Sequence, residues 1–272
     1  MALFLVFLLY PIIRSFILSL HARIDGRMQW VGLDQYRRLI ADPVFWESLG
    51  NTMVILGGQV PLMLAVALLL ASILRGSWLR FRGGLRLLYF LPAVTALIAY
   101  SIVFRVLLNG DTGVMNQLIG LVGIEPINWL GDPFWSRVSI VAAVTWRWTG
   151  YNMVILLAGL TSIDPAVNEA ARVDGANAWQ RTVHVTIPML RPVLVFCIVV
   201  STIGTLQLFD EPYVITRGGP AGATQTVVLY LYRTAFQRLD FGYGSAIAYA
   251  LVLVVLVLAL VQLRFLSAKE DE

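Results

Sequence analysis

Side chains with chemistry to offer cluster in three places. Trp148, Tyr151 and Asn152 lie inside one long apolar run, and Gln207 and Asp210 lie at the end of another. Aromatic rings stack on the C–H faces of sugars, while amides and carboxylates bond hydroxyls, so these five residues are candidates for a substrate pathway. The competing reading is interhelical hydrogen bonding, with tryptophans in the interfacial belt. Arg147 and Glu211 stand beside them and read as structural. A charge at bilayer depth costs roughly 2.5–3.5 kcal/mol on insertion scales, so each must face a partner or a cavity. The third place is the polar segment 161–192, which separates two apolar runs.

Catalytic chemistry finds no support. Lys269 is the only lysine, and no glycine-rich loop precedes it, so a phosphate-cradling Walker A site is absent. His21 and His184 match no metal-ligand spacing, and Cys197 is a lone cysteine. No G-x-S-x-G occurs. The reading is therefore of a protein without catalytic residues, metal or cofactor.

Segment 161–192 reads as two short helices joined by a sharp turn. Asp164 followed by Pro165 is an N-cap with proline at the first helical position. The helix runs from Pro165 to Val173, and Asp174-Gly175 stops it, because glycine takes a positive φ freely. Ala170 and Ala171 leave one face close to bare backbone, low enough to fit another protein's groove. A second helix is expected from Ala178 to Ile187-Pro188.

Glu169-Ala170-Ala171, Asp174-Gly175-Ala176 and Ile187-Pro188 resemble the EAA loop of ABC importer permeases. The pattern E-A-A-x-x-D-G-A is that of the carbohydrate-uptake branch. Thr182 departs from it, standing where that branch usually has phenylalanine. Trp148–Asn152, Gln207–Asp210 and Gly218-Gly219-Pro220 extend the resemblance to MalF-like permeases over nearly the whole chain. The resemblance implies that Glu169, Ala170, Ala171, Asp174, Gly175, Ala176 and Pro188 couple to an ATPase. It also implies pairing with a second permease subunit, two copies of an ABC ATPase and an extracytoplasmic substrate-binding protein. Glycerol-phosphate or another solute stays open beside sugar. An ion-coupled secondary transporter is the rival class, against which no inverted repeat or matched pair of broken helices is visible.

Composition sets the frame that must position these groups. Of 272 residues, 58% are hydrophobic and 13% charged, with a mean hydropathy of +0.77. A soluble domain carries about twice that charge. The net charge of +4 does not suggest nucleic acid. The expected architecture is all-α: one permease domain over 1–272 with six spans in a lipid bilayer. The expected spans begin at Met1–Leu20, which has no basic segment before it and so reads as a span rather than a signal peptide. They continue over 51–74 (interrupted at Gly57-Gly58 and Pro61), 87–108 (bent near Pro92), 138–160, 193–213 and 243–265.

Asp42-Pro43-Val44-Phe45-Trp46 reads as a short interfacial helix, echoed by Asp132-Pro133-Phe134-Trp135. Segment 221–242 reads as an outer loop, and Lys269–Glu272 as a charged tail. Arg75, Arg80, Arg82 and Arg86 read as cytoplasmic under the positive-inside rule. With the resemblance, they place the loop and both termini in the cytoplasm and the protein in the cell membrane.

Overall fold

The structure is a computed structural model that describes residues 2–76 and 80–267. Most of the chain is helical. An N-terminal helix comprises α1 (Ala2–Phe4), a π-helical turn (Leu5–Leu9) and α2 (Tyr10–Ser19). An antiparallel hairpin follows, β1 (His21–Ile24) and β2 (Arg27–Trp30), with His21 opposite Trp30. This short hairpin is a local exception within a chain that is otherwise helical, as the expected all-α class requires. Then come α3 (Asp34–Ala41), α4 (Pro43–Arg75), α5 (Arg82–Val94), α6 (Leu97–Leu107), α7 (Val114–Gly120) and α8 (Pro133–Ser162). Next are α9 (Pro165–Val173), α10 (Ala178–Arg181), a π-helical turn (Thr182–Thr186) and α11 (Ile187–Leu206). The chain closes with a π-helical turn (Pro212–Thr216), α12 (Val227–Tyr232), another such turn (Arg233–Gln237) and α13 (Phe241–Ser267). Lys269–Glu272 lies outside the described residues, as do residues 77–79 of the arginine-rich loop.

Asp-Pro pairs start the two longest helices, α4 and α8. The Asp42 carboxylate accepts the Val44 N–H at 2.9 Å, and the Asp132 carboxylate accepts those of Phe134 and Trp135. Asp42–Trp46 is thus not a separate interfacial helix. It is the first turn of the 33-residue α4, which at 1.5 Å per residue is about 50 Å long. Nor do Gly57-Gly58 and Pro61 interrupt α4, since a proline inside a membrane helix is tolerated where neighbouring structure re-satisfies the freed carbonyl. The separate short helix before it is α3.

Among the described residues, four helices are long and apolar enough to cross a membrane: Pro43–Arg75, Pro133–Ser162, Ala178–Leu206 and Phe241–Arg264. A fifth arises if α5 and α6 count as one span, although they meet at 96°. The bend expected near Pro92 falls at Thr95-Ala96, where both residues leave the helical conformation. Leu5–Ser19 is apolar but shorter than a full crossing. The second helix of the 161–192 segment does not stop at Ile187-Pro188. It continues as one rod to Leu206, and the wide turn Thr182–Thr186 lies directly before Ile187 and Pro188, the latter without an N–H to donate. The fifth apolar run leaves helix at Gln207, before the expected Tyr213. Segment 221–242 is largely helical and buried rather than a simple loop: Val227, Leu229 and Thr226 have no exposed surface.

Among the described residues the core lies in three apolar clusters, and α4 contributes to each. Met63 and Leu74 pack with Met153 and Leu190, Phe45 with Leu206 and Tyr243, and Ile55 with Ile140 and Ile215. Helix α5 approaches α8 closely at Gly150, where an added Cβ would stand 1.7 Å from the Tyr89 carbonyl oxygen. At the end where α4 and α8 begin, Asn51 accepts from Arg137 at 2.9 Å and donates to the Gly222 carbonyl at 2.8 Å. Asp42 also accepts the hydroxyls of Tyr230 and Tyr243, each at 2.5 Å. Burial pushes this carboxyl up, but the two hydroxyls and the N–H groups of Val44 and Phe45 outweigh it and hold Asp42 below its ordinary 3.8.

Two outcomes follow from this packing. Gly150→Ala should lower thermal stability in detergent sharply, at or above the roughly 1–3 kcal/mol of ordinary overpacking. Gly57→Ala, where an added Cβ meets nothing within 4 Å, should be neutral; equal melting temperatures for both variants would contradict the α5–α8 contact. Because the folded Asp42 value is depressed, its stabilisation is complete above the unfolded value and is lost as pH falls through the folded one. Melting curves of wild type and Asp42→Asn should therefore differ at neutral pH and begin to converge only as pH falls below the ordinary 3.8.

Candidate functional site

Trp148, Tyr151 and Asn152 stand at i, i+3 and i+4 on α8, so they share one face. That face looks onto α4 and α11 across a cavity of about 130 Å³. Its polar lining comes from Gln59 on α4, Asn152 on α8, and Ser201 and Thr205 on α11. Thr205 donates its hydroxyl to Gln59 Oε1 at 2.8 Å, and Asn152 donates its amide to the Trp148 carbonyl at 3.1 Å. Gln59 donates to the Met63 sulfur at 3.1 Å, and Ser201 reaches Asn152 Oδ1 at 3.5 Å. Trp148 and Tyr151 meet edge to face at 5.8 Å, and the Trp148 ring is 37% exposed. No carboxylate, amine or imidazole lines the cavity. An arrangement of neutral amides, hydroxyls and rings can bind a polyhydroxylated solute, but it offers no acid–base pair. Among the described residues no group of His, Cys, Asp and Glu could hold a metal ion.

The cavity gathers three of the five pathway candidates. Gln207 is exposed at the C-cap of α11, and Asp210 is half-buried beyond it; neither lines the cavity. Phe209, between them, stacks on Tyr213 at 5.2 Å. Gln59 and Thr205 escaped the sequence reading. Gln59 is a lone amide in an apolar run, which is a usable signal, but Gly57-Gly58 and Pro61 drew the reading toward a helix break.

Arg147 faces away from the cavity. Its guanidinium donates to the carbonyls of Thr95 at 2.9 Å and Ala93 at 3.4 Å, finishing the broken end of α5. The same group lies 4.8 Å from the Tyr100 ring centroid and 5.4 Å from that of Trp148. Tyr100 in turn donates its hydroxyl to the Glu211 carboxylate. Arg147 and Glu211 are therefore structural, as their sequence context suggests, but Tyr100 bridges them and no direct ion pair joins them.

At the other end of α8, Asp164 accepts the Ala166 N–H at 2.9 Å, and α9 spans Pro165–Val173 as the sequence predicts. Gly175 takes φ +82°, and Ala176 and Gly175 donate to the carbonyls of Ala171 and Arg172, a Schellman ending. Asn177 and Gln180 close a reciprocal capping box at the start of α10. No residue of α9 is buried. Glu169, Ala170, Asp174 and Pro188 are exposed, and Ala171 and Ala176 are half-buried. Val173 and Trp179 are 88% and 74% exposed. Thr182 turns its hydroxyl back to the Ala178 carbonyl at 2.9 Å.

Residues 43–269 match the family described as binding-protein-dependent transport system inner membrane component. The chain is 47% identical to the lactose transport system permease protein LacF of Rhizobium radiobacter, over 99% of this chain and 91% of that one. It is 35% identical to the arabinooligosaccharides transport system permease protein AraP of Bacillus subtilis (strain 168), over 99% and 86% respectively. The trehalose/maltose transport system permease protein MalF of Thermococcus litoralis (strain ATCC 51850 / DSM 5473 / JCM 8560 / NS-C) is 35% identical over 90% of this chain and 83% of its own. In fold, the chain is similar to a bacterial alginate ABC transporter solved with its alginate pentasaccharide-bound periplasmic protein, with a TM-score of 0.82 at 24% identity over 95% of this chain and 88% of that one. With both the family match and these relatives spanning most of its length, the chain belongs to the family of binding-protein-dependent transport system inner membrane components.

Proposed function

We infer that this chain forms half of the translocation pathway of a carbohydrate importer and takes its energy from a separate ATPase through α9. The observation that carries the coupling role is α9 itself: a helix capped at both ends, with no buried residue, held on the rod that continues through α11. A helix finished in this way transmits a push without fraying. Glu169 on its exposed side is the proposed ionic contact, and Ala170 and Ala171 keep one face low enough for a groove. Asp174, Gly175 and Ala176 set the turn, and Pro188 marks where the rod re-enters the apolar region.

Carbohydrate is favoured by the relatives named above, which are permeases for lactose, arabinooligosaccharides and trehalose/maltose, and by the neutral, ring-edged cavity. At about 130 Å³ the cavity is smaller than the roughly 300–1,000 Å³ of a complete ligand site, which fits one wall of a site completed by a second permease. Trp148, Tyr151 and Asn152 would contact sugar there, with Gln59, Ser201 and Thr205. Gln207 and Asp210 would meet it further along the path. The full assembly would contain a second permease, two ATPase copies and an extracytoplasmic binding protein, in a cell membrane crossed six times by this chain. The 161–192 loop and both termini would lie in the cytoplasm.

As a member of this family the chain is a transport component and not an ATPase. ATP binding and the outward-facing state must favour each other by a coupling free energy for such a device to pump.

Reconstituted with its partners, Gly175→Val should release the ATPase or uncouple hydrolysis from uptake while still inserting in the membrane, because φ +82° strains a β-branched residue. Normal ATPase binding, hydrolysis and uptake in that variant would remove α9 from the coupling role. Asn152→Ala should reduce lactose uptake a few-fold without loss of assembly, since a neutral hydrogen bond is worth about 0.5–1.5 kcal/mol. Unchanged uptake kinetics in a stable complex would take Asn152 off the path.

A further inference from the structure

Three buried polar side chains from distant parts of the chain meet beside the cavity, and the solute-binding face does not use them. Arg147 is 6% exposed, Tyr100 3% and Glu211 2%. Tyr100 belongs to the apolar cluster of Ile55, Ile140, Val144, Leu208 and Ile215. Each belongs to a different element: Arg147 to α8, Tyr100 to α6, Glu211 to the segment just past the unwound residues after α11. Ionisable groups set in such surroundings carry a large desolvation cost and persist where something depends on them.

Each member touches something that shapes the cavity. Arg147 precedes Trp148 in sequence and lies over its ring, and Trp148 lines the cavity. Arg147 also holds the end of α5 through the Thr95 and Ala93 carbonyls, which fixes where α6 starts. Tyr100, on the first turn of α6, reaches Glu211. Glu211 lies three residues after Leu208, another lining residue, and opens the π-helical turn Pro212–Thr216. Gln207–Phe209 has left the helix, so Leu208 depends on what anchors the chain on either side. On one side that anchor is Thr226, whose hydroxyl donates to the Leu208 carbonyl at 2.7 Å. On the other side it is Glu211.

We propose that Arg147, Tyr100 and Glu211 form a positioning triad that holds the unwound Leu208 segment against Trp148 and so sets the width of the sugar-binding wall. None of the three touches the solute. Tyr100 is the joint, because its hydroxyl is the bond that ties the broken helix to the segment after α11. The consequence for sugar binding rests on the carbohydrate reading above; the consequence for the wall does not.

The test uses the complete transporter in lipid vesicles, with lactose as the transported probe and N-ethylmaleimide as the wall probe. In a Cys197→Ala background, Leu208→Cys gives a thiol at the buried wall. Tyr100→Phe should raise its labelling rate at least about fivefold and raise the KM for lactose uptake about tenfold, the effect of losing one hydrogen bond to a charged group. The maximal rate should stay within about twofold, because the triad acts on the wall and not on the ATPase contact. Glu211→Gln, whose amide oxygen still accepts the hydroxyl, should behave as wild type in both readouts. Glu211→Leu should behave as Tyr100→Phe, and the double variant Tyr100→Phe/Glu211→Leu should be no worse than either single one, since neither the hydroxyl nor the carboxylate is then left without the other. Unchanged labelling in Tyr100→Phe would overturn the triad, as would equal damage from Glu211→Gln and Glu211→Leu. Increased labelling in a transporter that moves no sugar, even as wild type, would uphold the triad and sink the carbohydrate reading.

Discussion

Hydrogen-bonding groups inside a bilayer have no water to fall back on, so every helix end at depth must be finished by the protein itself. Arg147 meets that constraint at the break between α5 and α6. The chain turns through 96° between α5 and α6, and the guanidinium of α8 takes up carbonyls that the break sets free. The close approach of α5 to α8 at Gly150, one turn along, makes this reach possible. A positive group at the C-terminal end of a helix is also favoured by the helix dipole. The arginine that looked like an expensive intrusion in an apolar run thus keeps the broken pair folded.

The same constraint explains why the helix starts look alike. Asp42-Pro43, Asp132-Pro133 and Asp164-Pro165 each join a side-chain cap to a residue with no N–H to leave unpaired. Two of these pairs begin the longest rods and the third begins α9. Polar side chains at the cavity follow the rule too. Gln59, Asn152, Ser201 and Thr205 bond one another or the backbone, so the recess can stay formed when empty. Trading such bonds for those of a hydroxylated solute costs little, which suits a site that must release what it binds.

Local signals were readable in the sequence and distant ones were not. The bounds of α9 and the left-handed Gly175 follow from a cap, a proline and a glycine within a dozen residues. The same cap at Asp42 marks where a helix begins but says nothing of its length, so the 33 residues of α4 were read as two pieces. The break at Thr95-Ala96 contains no glycine, and the guanidinium that finishes it comes from 52 residues away. The hairpin at His21–Trp30 has two strands of four residues that are mostly exposed, so no apolar alternation announces it. Trp148, Tyr151 and Asn152 were legible as a helical face. Their partner Gln59 was not, because only packing brings α4 alongside.

Coupling through α9 is the centre of this account, and contact with the ATPase tests it most directly. With Cys197 replaced by alanine, a cysteine at Ala170 places one thiol on the exposed helix, and a cysteine at Leu239 places one beyond α12, near the start of α13. Under mild oxidation in the assembled transporter, with a cysteine on the ATPase groove, Ala170→Cys should give a disulfide-linked product that ATP alters, and Leu239→Cys should give none. A product from Leu239→Cys and none from Ala170→Cys would contradict it.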